Sequence, residues 1–419
     1  MAFVDPNTVW EIRTTGLSTN GGGFANVTPG ISVDYSQQDA AQLSLTDITT
    51  DGAGTMLTSA TGGFTHAMEG NVLYLRGGTV TEGFYQIISG GYMDGNNIIV
   101  HQSAGSNKGG GFADVGGAFK FGGNSFRELL IQQVMNSCNL VWFGPGTHGP
   151  LLGSLIFQAS AGPRVGRWVG YHAVRGDNPV GDDRPLIDVA YWGALFTNFH
   201  SQEHLRFTGT SASVVSGTGL ARFFNCKAIN TNPAVAHHAF SFAGTVAVFA
   251  IACEGVTQGG VGSTAFLLGE KCIAVHCFGR DSPIGFSGAP GTVCSFCVAD
   301  SCDVGYQNVI FRQNCLAYNC THSYESLGTP PWDLAINDIS DLAAVDFYND
   351  QAEDQQGVFT LYNCLHGVTH FTHILDWYGN IIGDPGLKNP GAHDYRVDSF
   401  DKNVFEKAVE LSQFTGANV

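Results

Sequence analysis

The stretches FFNCKAIN (223–230), AIACEGVT (250–257), AVHCFGRD (274–281), SFCVADS (295–301) and RQNCLAYN (312–319) repeat one pattern centred on cysteine. The central cysteines of these five stretches, from Cys226 to Cys315, are 27, 24, 20 and 18 residues apart. That is the length of one three-sided solenoid coil with loops of varying size. Because a single repeat cannot bury its own apolar face, such repeats stack on one another. The spacing predicts a parallel β-helix.

Residues at fixed offsets from these cysteines are also alike. A turn-forming or small polar residue stands four positions later, as in Asp281, Ser301 and Asn319. In the three most regular coils an aromatic residue stands nine positions later. In stacked parallel strands, like residues lie about 4.8 Å above one another. The pattern predicts an interior ladder that consists of Cys226, Cys253, Cys277, Cys297, Cys315, Phe286, Tyr306 and Tyr324.

The cysteines themselves allow two interpretations. A buried thiol behaves as a small hydrophobic side chain, which fits a ladder. Cys294 and Cys297 form a CxxC pair, but zinc requires four ligands in a tetrahedron, whereas stacked strands supply a row. We therefore predict no metal and no cofactor. Eleven cysteines in a chain whose first residues lack a secretory pattern are expected to be reduced.

Composition limits the class of protein. Of 419 residues, 43% are hydrophobic and 13% charged, and the 56 glycines favour strands joined by tight turns. The net charge of −17, with only 19 lysines and arginines, opposes binding of a phosphate backbone, so we expect no nucleic-acid partner. Neither a signal peptide nor about 18 consecutive apolar residues occur, which predicts no membrane insertion and synthesis in the cytoplasm.

The N-terminal third has a different pattern. Short alternating runs such as NVLYLRGG (71–78) and NNIIVHQ (96–102) are typical of hairpins. They predict four regions: an opening strand and helical cap over residues 1–49, an inserted antiparallel β-subdomain over 50–105, the parallel β-helix over 106–398 and a C-terminal helical cap over 399–419. Residues 33–44 read as the short capping helix, whereas residues 125–135 fit a helix or a coil edge equally well.

Both ends of the chain resemble right-handed parallel β-helix repeat proteins. WEIRTTGLSTNGGG (10–23) is similar to their opening strand and turn, with Ser18 where an aspartate is usual. GNIIGDPGLKNPGAHDYRV (379–397) is similar to their closing element. Residues 9–47 also resemble the start of β-helix proteins encoded by tailed bacteriophages.

The phage resemblance implies a virion structural protein, namely a tail spike, fibre or decoration subunit that presents loops to host-surface glycans or to other virion proteins. It also implies a homo-oligomer, with a trimer favoured, located in the virion after assembly in the host cytoplasm. The alternative is a polysaccharide-degrading enzyme, either a depolymerase, a lyase or a glycoside hydrolase, on the same scaffold. A bacterial adhesin is disfavoured by the absence of an export signal. Fold alone does not decide among these functions.

Candidate catalytic residues follow from the enzyme alternative. Two carboxylates about 5 to 9 Å apart on one face would be needed to hydrolyse a glycoside. Asp281 and Asp300 fall on adjacent coils, with Asp303 and Glu254 close in sequence. Aspartates at such corners also stabilise the bend by hydrogen bonds to the backbone, which is the competing interpretation. A lyase would need a basic residue, for which Arg280 is the nearest candidate.

Candidate binding residues lie between residues 168 and 192. Arg175 and Asp177 belong to the loop RGDNPVGDDRP (175–185), which we expect to be exposed as a contact surface. Trp168, Tyr171 and Trp192 could form aromatic platforms for sugar rings, although core packing is the alternative. The histidines at 366, 370 and 373 lie too far apart along a strand to share one metal ion.

Overall fold

The chain consists almost entirely of β-strands. The computed structural model describes residues 7–135, 140–153, 155–158, 166–197, 200–234, 236–242, 247–326, 332–336, 338–341 and seven strand segments between 345 and 397. The chain divides into two compact units, residues 1–209 and 210–419, which are described in turn.

Unit 1 contains parallel coils whose strands form three sheets, here named sheets A, B and C. The first strand, Val9–Leu17, pairs in parallel with Leu140–Phe143 and in antiparallel with Gly23–Phe24. Sheet A continues through Arg167–Gly170 and Ser201–Glu203. Sheet B consists of Thr147–His148, Leu186–Ala190 and Arg206–Gly209, and sheet C of Leu155–Gln158 and Ala194–Thr197.

A closed antiparallel barrel is inserted between the Gly23–Phe24 and Leu140–Phe143 strands of sheet A. Its six strands, in spatial order, are Leu43–Thr50, Met56–Thr58, Asn97–Val100, Gly83–Asp94, Val72–Arg76 and Gly111–Val115. Its interior is apolar and includes Ile48, Leu73 and Ile87, all fully buried. The barrel strands therefore span residues 43–115, a wider range than the 50–105 expected from the sequence.

Helical structure is sparse among the described residues. One α-helix covers Ser125–Met135, and the Asn124 side chain caps it by accepting the backbone N–H groups of Phe126 and Arg127. Single 3₁₀ turns occur at Tyr35–Gln37, His66–Met68 and Gly181–Asp183. The helix expected over residues 33–44 is thus only one turn, because the chain enters the first barrel strand at Leu43. The expected C-terminal helix lies outside the described residues.

Unit 2 repeats the three sheets coil after coil. Sheet A consists of Arg222–Phe224, Phe249–Ile251, Ile273–Val275, Val293–Ser295, Phe311–Gln313, Trp332–Ile336, Val358–Tyr362 and Ile374–Trp377. Sheet B consists of Lys227–Asn230, Glu254–Thr257, Phe278–Arg280, Val298–Asp300, Leu316–Tyr318, Ile339–Asp341, Leu365–His366 and Ile381–Ile382. Sheet C consists of Ser213–Thr218, His238–Phe242, Thr264–Leu268, Ile284–Gly288, Val304–Gln307, His322–Ser326 and Val345–Asn349. Leu387–Asn389 and Asp394–Val397 form a separate antiparallel pair.

The cysteines of the repeat form one buried column at the start of sheet B. Each precedes a strand whose first residue pairs with the equivalent residue one coil away, as in Lys227 with Glu254 and Glu254 with Phe278. The thiol of Cys277 donates to the carbonyl of Ala250, and Cys297 donates likewise to Ala274, at 3.3 and 3.4 Å. The thiols therefore fill space and also hydrogen-bond sheet A of the preceding coil.

A stack of aromatic rings fills the interior beside sheet C. Phe240, Phe266, Phe286, Tyr306 and Tyr324 follow one another with ring centroids 4.9, 4.9, 5.0 and 5.4 Å apart and nearly parallel planes. The Tyr306 hydroxyl is buried but donates to the carbonyl of Cys297 at 2.7 Å. A polar group thus enters the core at little cost because it has a partner. The predicted fold class, a parallel β-solenoid with an antiparallel insertion, is confirmed.

Candidate functional site

An open groove of about 300 Å³ lies along sheet C of unit 2. It crosses four neighbouring coils, from the strand that begins at His238 to the strand that begins at Val304. Apolar and polar side chains share its lining, which consists of His238, Val261, Gly262, Thr264, Leu267, Pro283, Ile284, Ser287, Asp303, Val304 and Gln307. The mixture of aliphatic surface and hydrogen-bonding groups suits a ligand with alternating apolar and hydroxyl faces.

Strand register aligns the lining residues into two rows. Thr264 pairs with Ile284 and Ile284 with Val304, which gives a largely aliphatic row in which Thr264 and Ile284 are buried and Val304 is partly exposed. Leu267 pairs with Ser287 and Ser287 with Gln307. This row is apolar at Leu267 and polar on the next two coils. Because parallel strands keep equivalent residues about 4.8 Å apart, the rows run across the strands.

The polar row continues as a hydrogen-bonded chain. The Ser287 hydroxyl lies 3.4 Å from Gln307 Oε1, and Gln307 Nε2 donates to Glu325 Oε2 at 2.7 Å. His322 Nδ1 lies 3.8 Å from the other carboxylate oxygen of Glu325. These contacts hold the Gln307 amide in one orientation, so the row presents fixed hydrogen-bonding groups.

Two ionisable groups line the groove. Asp303 is exposed and, within the described ranges, its carboxylate has neither an ion pair nor a hydrogen bond. Burial, and then the neighbouring His237, lower the pKa of His238 below its usual value, so its imidazole is neutral at pH 7. No lysine or arginine is among the lining residues of this groove.

The three candidate catalytic carboxylates lie on sheet B instead. Glu254 accepts Arg280 Nε at 2.9 Å and lies 3.0 Å from Lys227 Nζ. Arg280 also donates to Asp281 at 2.6 Å, so one guanidinium joins Glu254 and Asp281. Asp300 lies one coil further on, where it pairs in register with Arg280. It is buried and accepts a hydrogen bond from the Ser301 hydroxyl. The structure therefore brings these residues to neighbouring coils.

The surroundings of these carboxylates bear on their chemistry. Burial would raise the pKa of Glu254, but its ion pairs with Lys227 and Arg280 outweigh this and lower it, so Glu254 has no proton to donate near neutrality. Asp281 has a φ of +49°, a left-handed conformation that aspartate and asparagine tolerate. The equivalent corner residues Ser301 and Asn319 share this conformation. A backbone role thus accounts for Asp281 at this corner.

The RGD loop of unit 1 is held by its own side chains. The Asp177 carboxylate accepts the backbone N–H groups of His172, Ala173 and Val174. Arg175 turns inward and donates to Glu11 at 2.8 Å. Asp177 is exposed, as expected, but its carboxylate closes a turn, whereas Arg175 neutralises the buried carboxylate of Glu11. Their role as a contact surface stays a prediction.

The aromatic candidates separate into buried and exposed residues. Trp168 packs between Phe143 and Phe196 in the core, and the Tyr171 hydroxyl donates to Glu11, so neither ring is a platform. Trp192 is 54% exposed and its neighbour Tyr191 is 79% exposed. They occupy a turn in which the Trp192 N–H donates to the Val189 carbonyl. This exposed pair remains a candidate contact surface of unit 1.

A second, smaller cavity of about 210 Å³ lies in unit 1 beside Arg13 and Tyr171. Arg13, Thr14, Asp39 and Tyr171 are among its lining residues. Arg13 is already bound to Glu11 at 2.8 Å and to Asp39 at 3.4 Å. Because its one cation is neutralised by the protein itself, this cavity offers less to a ligand than the groove of sheet C.

Neither a metal centre nor a membrane span emerges from the described residues. No three of their His, Cys, Asp and Glu side chains are arranged to hold a metal ion. No helix in the described ranges is both long and apolar enough to cross a bilayer. Of the three spaced histidines, His370 and His373 lie outside the described residues.

Sequence reasoning missed the groove and a second cysteine column. Cys302 and Cys320 are 18 residues apart, the same spacing as Cys297 and Cys315, and their thiols point to the carbonyls of Gly279 and Ala299 at 3.8 Å. That shared spacing could have revealed the column. The groove left no such signal, because its lining residues differ in type from coil to coil.

Comparisons with known proteins give structural neighbours but no family. No family model matches the chain, and no curated protein matches it. The pectate lyase Pel9A superposes with a TM-score of 0.44 and 12% identity, over 63% of this chain and 77% of that one. The catalytic domain of a GH87 alpha-1,3-glucanase in complex with nigerose gives 0.28 and 8%, over 78% and 85%.

A third neighbour is the catalytic unit of the thermostable GH87 alpha-1,3-glucanase from Streptomyces thermodiastaticus. It gives a TM-score of 0.22 and 9% identity, over 81% of this chain and 88% of that one. All three neighbours are enzymes that act on polysaccharides, and none is a virion protein. Similarity at this level carries no argument about the substrate or activity of the present chain.

Proposed function

We propose that this protein binds a polysaccharide along sheet C of unit 2. The observation that carries the proposal is the open groove across four coils, with an aliphatic row beside a polar row. A sugar ring has apolar C–H faces and polar hydroxyl edges, so the two rows complement its two kinds of surface. The successive coils along the groove match a polymer of successive sugar units.

A peptide fits the groove less well than a glycan. Peptides commonly bind a sheet by adding a strand to a free edge. Each groove strand from Thr264 to Gln307 pairs with a strand on both sides, so no free edge is offered there. Recognition must therefore use side chains such as Ser287 and Gln307, which suits hydroxyl groups.

Cleavage of the bound polysaccharide is the second candidate function. The neutral imidazole of His238 in the groove favours it, because such a group can act as a general base. Asp303 is, however, the one carboxylate among the lining residues, whereas hydrolysis ordinarily uses two carboxylates. These groups support binding better than cleavage.

Blocking the groove tests the proposal. Ser287→Trp places an indole in the polar row and should abolish retention of the protein in gels containing the polysaccharide that it binds. Ser295→Trp is the matched control, because Ser295 is a half-buried serine at the end of a sheet A strand. Release of oligosaccharides by the unmodified protein reports on cleavage. If neither variant changes retention, or no polysaccharide retards the protein, binding in this groove is rejected.

The virion role stays a proposal that rests on the sequence resemblance of residues 9–47. Polysaccharide binding is compatible with it, because a spike or fibre that recognises a host surface needs such a site. Genes for portal, capsid or tail proteins beside the coding sequence would support it. Negative-stain images of the purified protein would test the expected trimer.

A further inference from the structure

We propose that the polysaccharide bound in the groove carries free amino groups, as in a partly de-N-acetylated hexosamine polymer. This inference rests on the proposed function and adds the chemical class of the ligand. It follows from the sign of the charge in the groove, the state of Asp303 and the absence of basic side chains from the lining.

The first step is the sign of the charge along the groove. Among its lining residues the formal charge is that of Asp303 alone, and no lysine or arginine opposes it. His238 is neutral because burial lowers its pKa. The polar row then leads to Glu325 on the next strand of sheet C. The field along the groove is therefore negative, and the net charge of −17 on the chain adds to it.

The second step is the state of Asp303. Glu254 and Asp281 on the neighbouring coils are already ion-paired with Arg280. Asp303 has no such partner within the described ranges, yet it stands at the groove. An ammonium group would form a charge-assisted hydrogen bond with it. Asp303 is thus a carboxylate that the fold leaves free for a ligand.

The third step excludes the opposite class of polymer. A uronate polymer carries a carboxylate on every sugar and is bound through arginine, lysine or a cation held by several acidic residues. The groove lining contains neither basic side chain. The described residues also contain no cluster of three metal-binding side chains. An anionic polysaccharide would therefore meet the Asp303 carboxylate with no basic side chain in the lining to offset it.

Matched polymers and matched variants test the inference. The probe is a glucosamine polymer before and after complete re-N-acetylation, with a neutral glucan and polygalacturonate alongside. We expect the free-amine form to bind roughly tenfold more tightly than the re-acetylated form, a preference that 0.5 M salt should reduce. Asp303→Asn should remove most of that preference. Glu270→Gln should keep it, because Glu270 is an exposed carboxylate on a turn outside the groove and has no ion pair among the residues that the structure describes.

The outcomes separate the two proposals. If the re-acetylated polymer or polygalacturonate binds as tightly as the free amine, the amino-sugar inference is overturned while polysaccharide binding stands. If no polysaccharide binds, the proposed function itself fails. Equal binding of a lysine-rich peptide, blocked by Ser287→Trp, would overturn both, because it would show that charge alone selects the ligand.

Discussion

The coils between residues 222 and 326 and the barrel between residues 43 and 115 bury their apolar side chains in different ways. In the coils, like residues stack in columns, with Phe286 on Tyr306 and Cys277 beside Cys297. In the barrel, residues far apart in sequence meet once, as Leu73 and Val115 do across an antiparallel pair. Stacked columns produce a periodic pattern in the sequence, whereas isolated long-range contacts do not.

The difference also decides which residues remain for function. Many inward positions of the coils hold cysteine, small residues or stacked rings, because each must fit the residue above and below it. Positions on the outer faces carry no such restriction, and they include Ser287, Asp303 and Gln307 of the groove. Residues that repeat are therefore structural in this protein, and residues that break the repeat are the better functional candidates.

The largest effect expected of a single substitution comes from removing a ring from the stack. Phe286→Ala leaves a cavity between Phe266 and Tyr306 and should lower the free energy of unfolding of unit 2 by about 4 kcal/mol. Leu73→Ala in the barrel should cost about 3 kcal/mol by the same mechanism. Urea unfolding combined with hydrogen exchange measures both.

The two variants should differ in where protection is lost. A coil contacts only its neighbours, so Phe286→Ala should expose the adjacent coils and leave the barrel protected. Leu73→Ala should affect every barrel strand together. Loss of protection in the barrel on Phe286→Ala would show that the two structures do not respond as separate units.

The next effect is on pH dependence. Burial lowers the pKa of His148 and of His200, both in unit 1, to about 4. Each binds a proton more readily when unfolded, so unit 1 should lose stability as the pH falls from 6.5 to 4, by about 3 kcal/mol per histidine. The raised pKa of Glu128, caused by burial, opposes this loss in part.

Unit 2 should respond less to acid over the same interval. Burial raises the pKa of Asp338 to about 6 despite Arg312, so its contribution to stability is larger below pH 4 and is lost as the pH rises through 6. His238, with a lowered pKa, acts in the opposite direction. Pulsed hydrogen exchange after urea treatment at each pH measures the two units separately. His148→Gln should flatten the slope for unit 1, and an unchanged slope would contradict this assignment.

Much of the coil architecture could be predicted from the sequence, because residues that stack in the coils recur at regular intervals along the sequence. The ring stack was recognised only from Phe286 onward, since longer loops place Phe240 and Phe266 at 14 and 13 residues from Cys226 and Cys253 instead of nine. The hairpins of the insertion were predicted, but the order of the barrel strands was not. Antiparallel closure depends on contacts that no local pattern encodes.

The candidate site was less predictable than the fold. Asp281, Asp300 and Glu254 attracted attention because carboxylates recur near one corner, and the structure shows Asp281 in a left-handed backbone position. Asp303 lies only three residues beyond Asp300 but across the turn that leads to sheet C. The sheet on which a residue lies depends on the exact position of each turn between sheets. The sequence shows the positions of these turns only approximately.

The smallest expected effect tests the corners themselves. The residue before each column cysteine has a positive φ, namely Asn225, Ala252, His276, Phe296 and Asn314. Asparagine tolerates this left-handed conformation, whereas other side chains are strained in it by about 1 kcal/mol. Ala252 is exposed, so Ala252→Asn should relieve strain without disturbing packing.

We expect Ala252→Asn to raise the free energy of unfolding of unit 2 by roughly 0.5 to 1 kcal/mol. Ala60→Asn, at an exposed alanine beside the barrel where φ is not positive, should change stability by less than about 0.5 kcal/mol. Urea unfolding resolves the two values. Equal effects at both sites would mean that asparagine stabilises the protein through solvation. The left-handed conformation would then not be the reason why asparagine precedes the cysteine in two of the five coils.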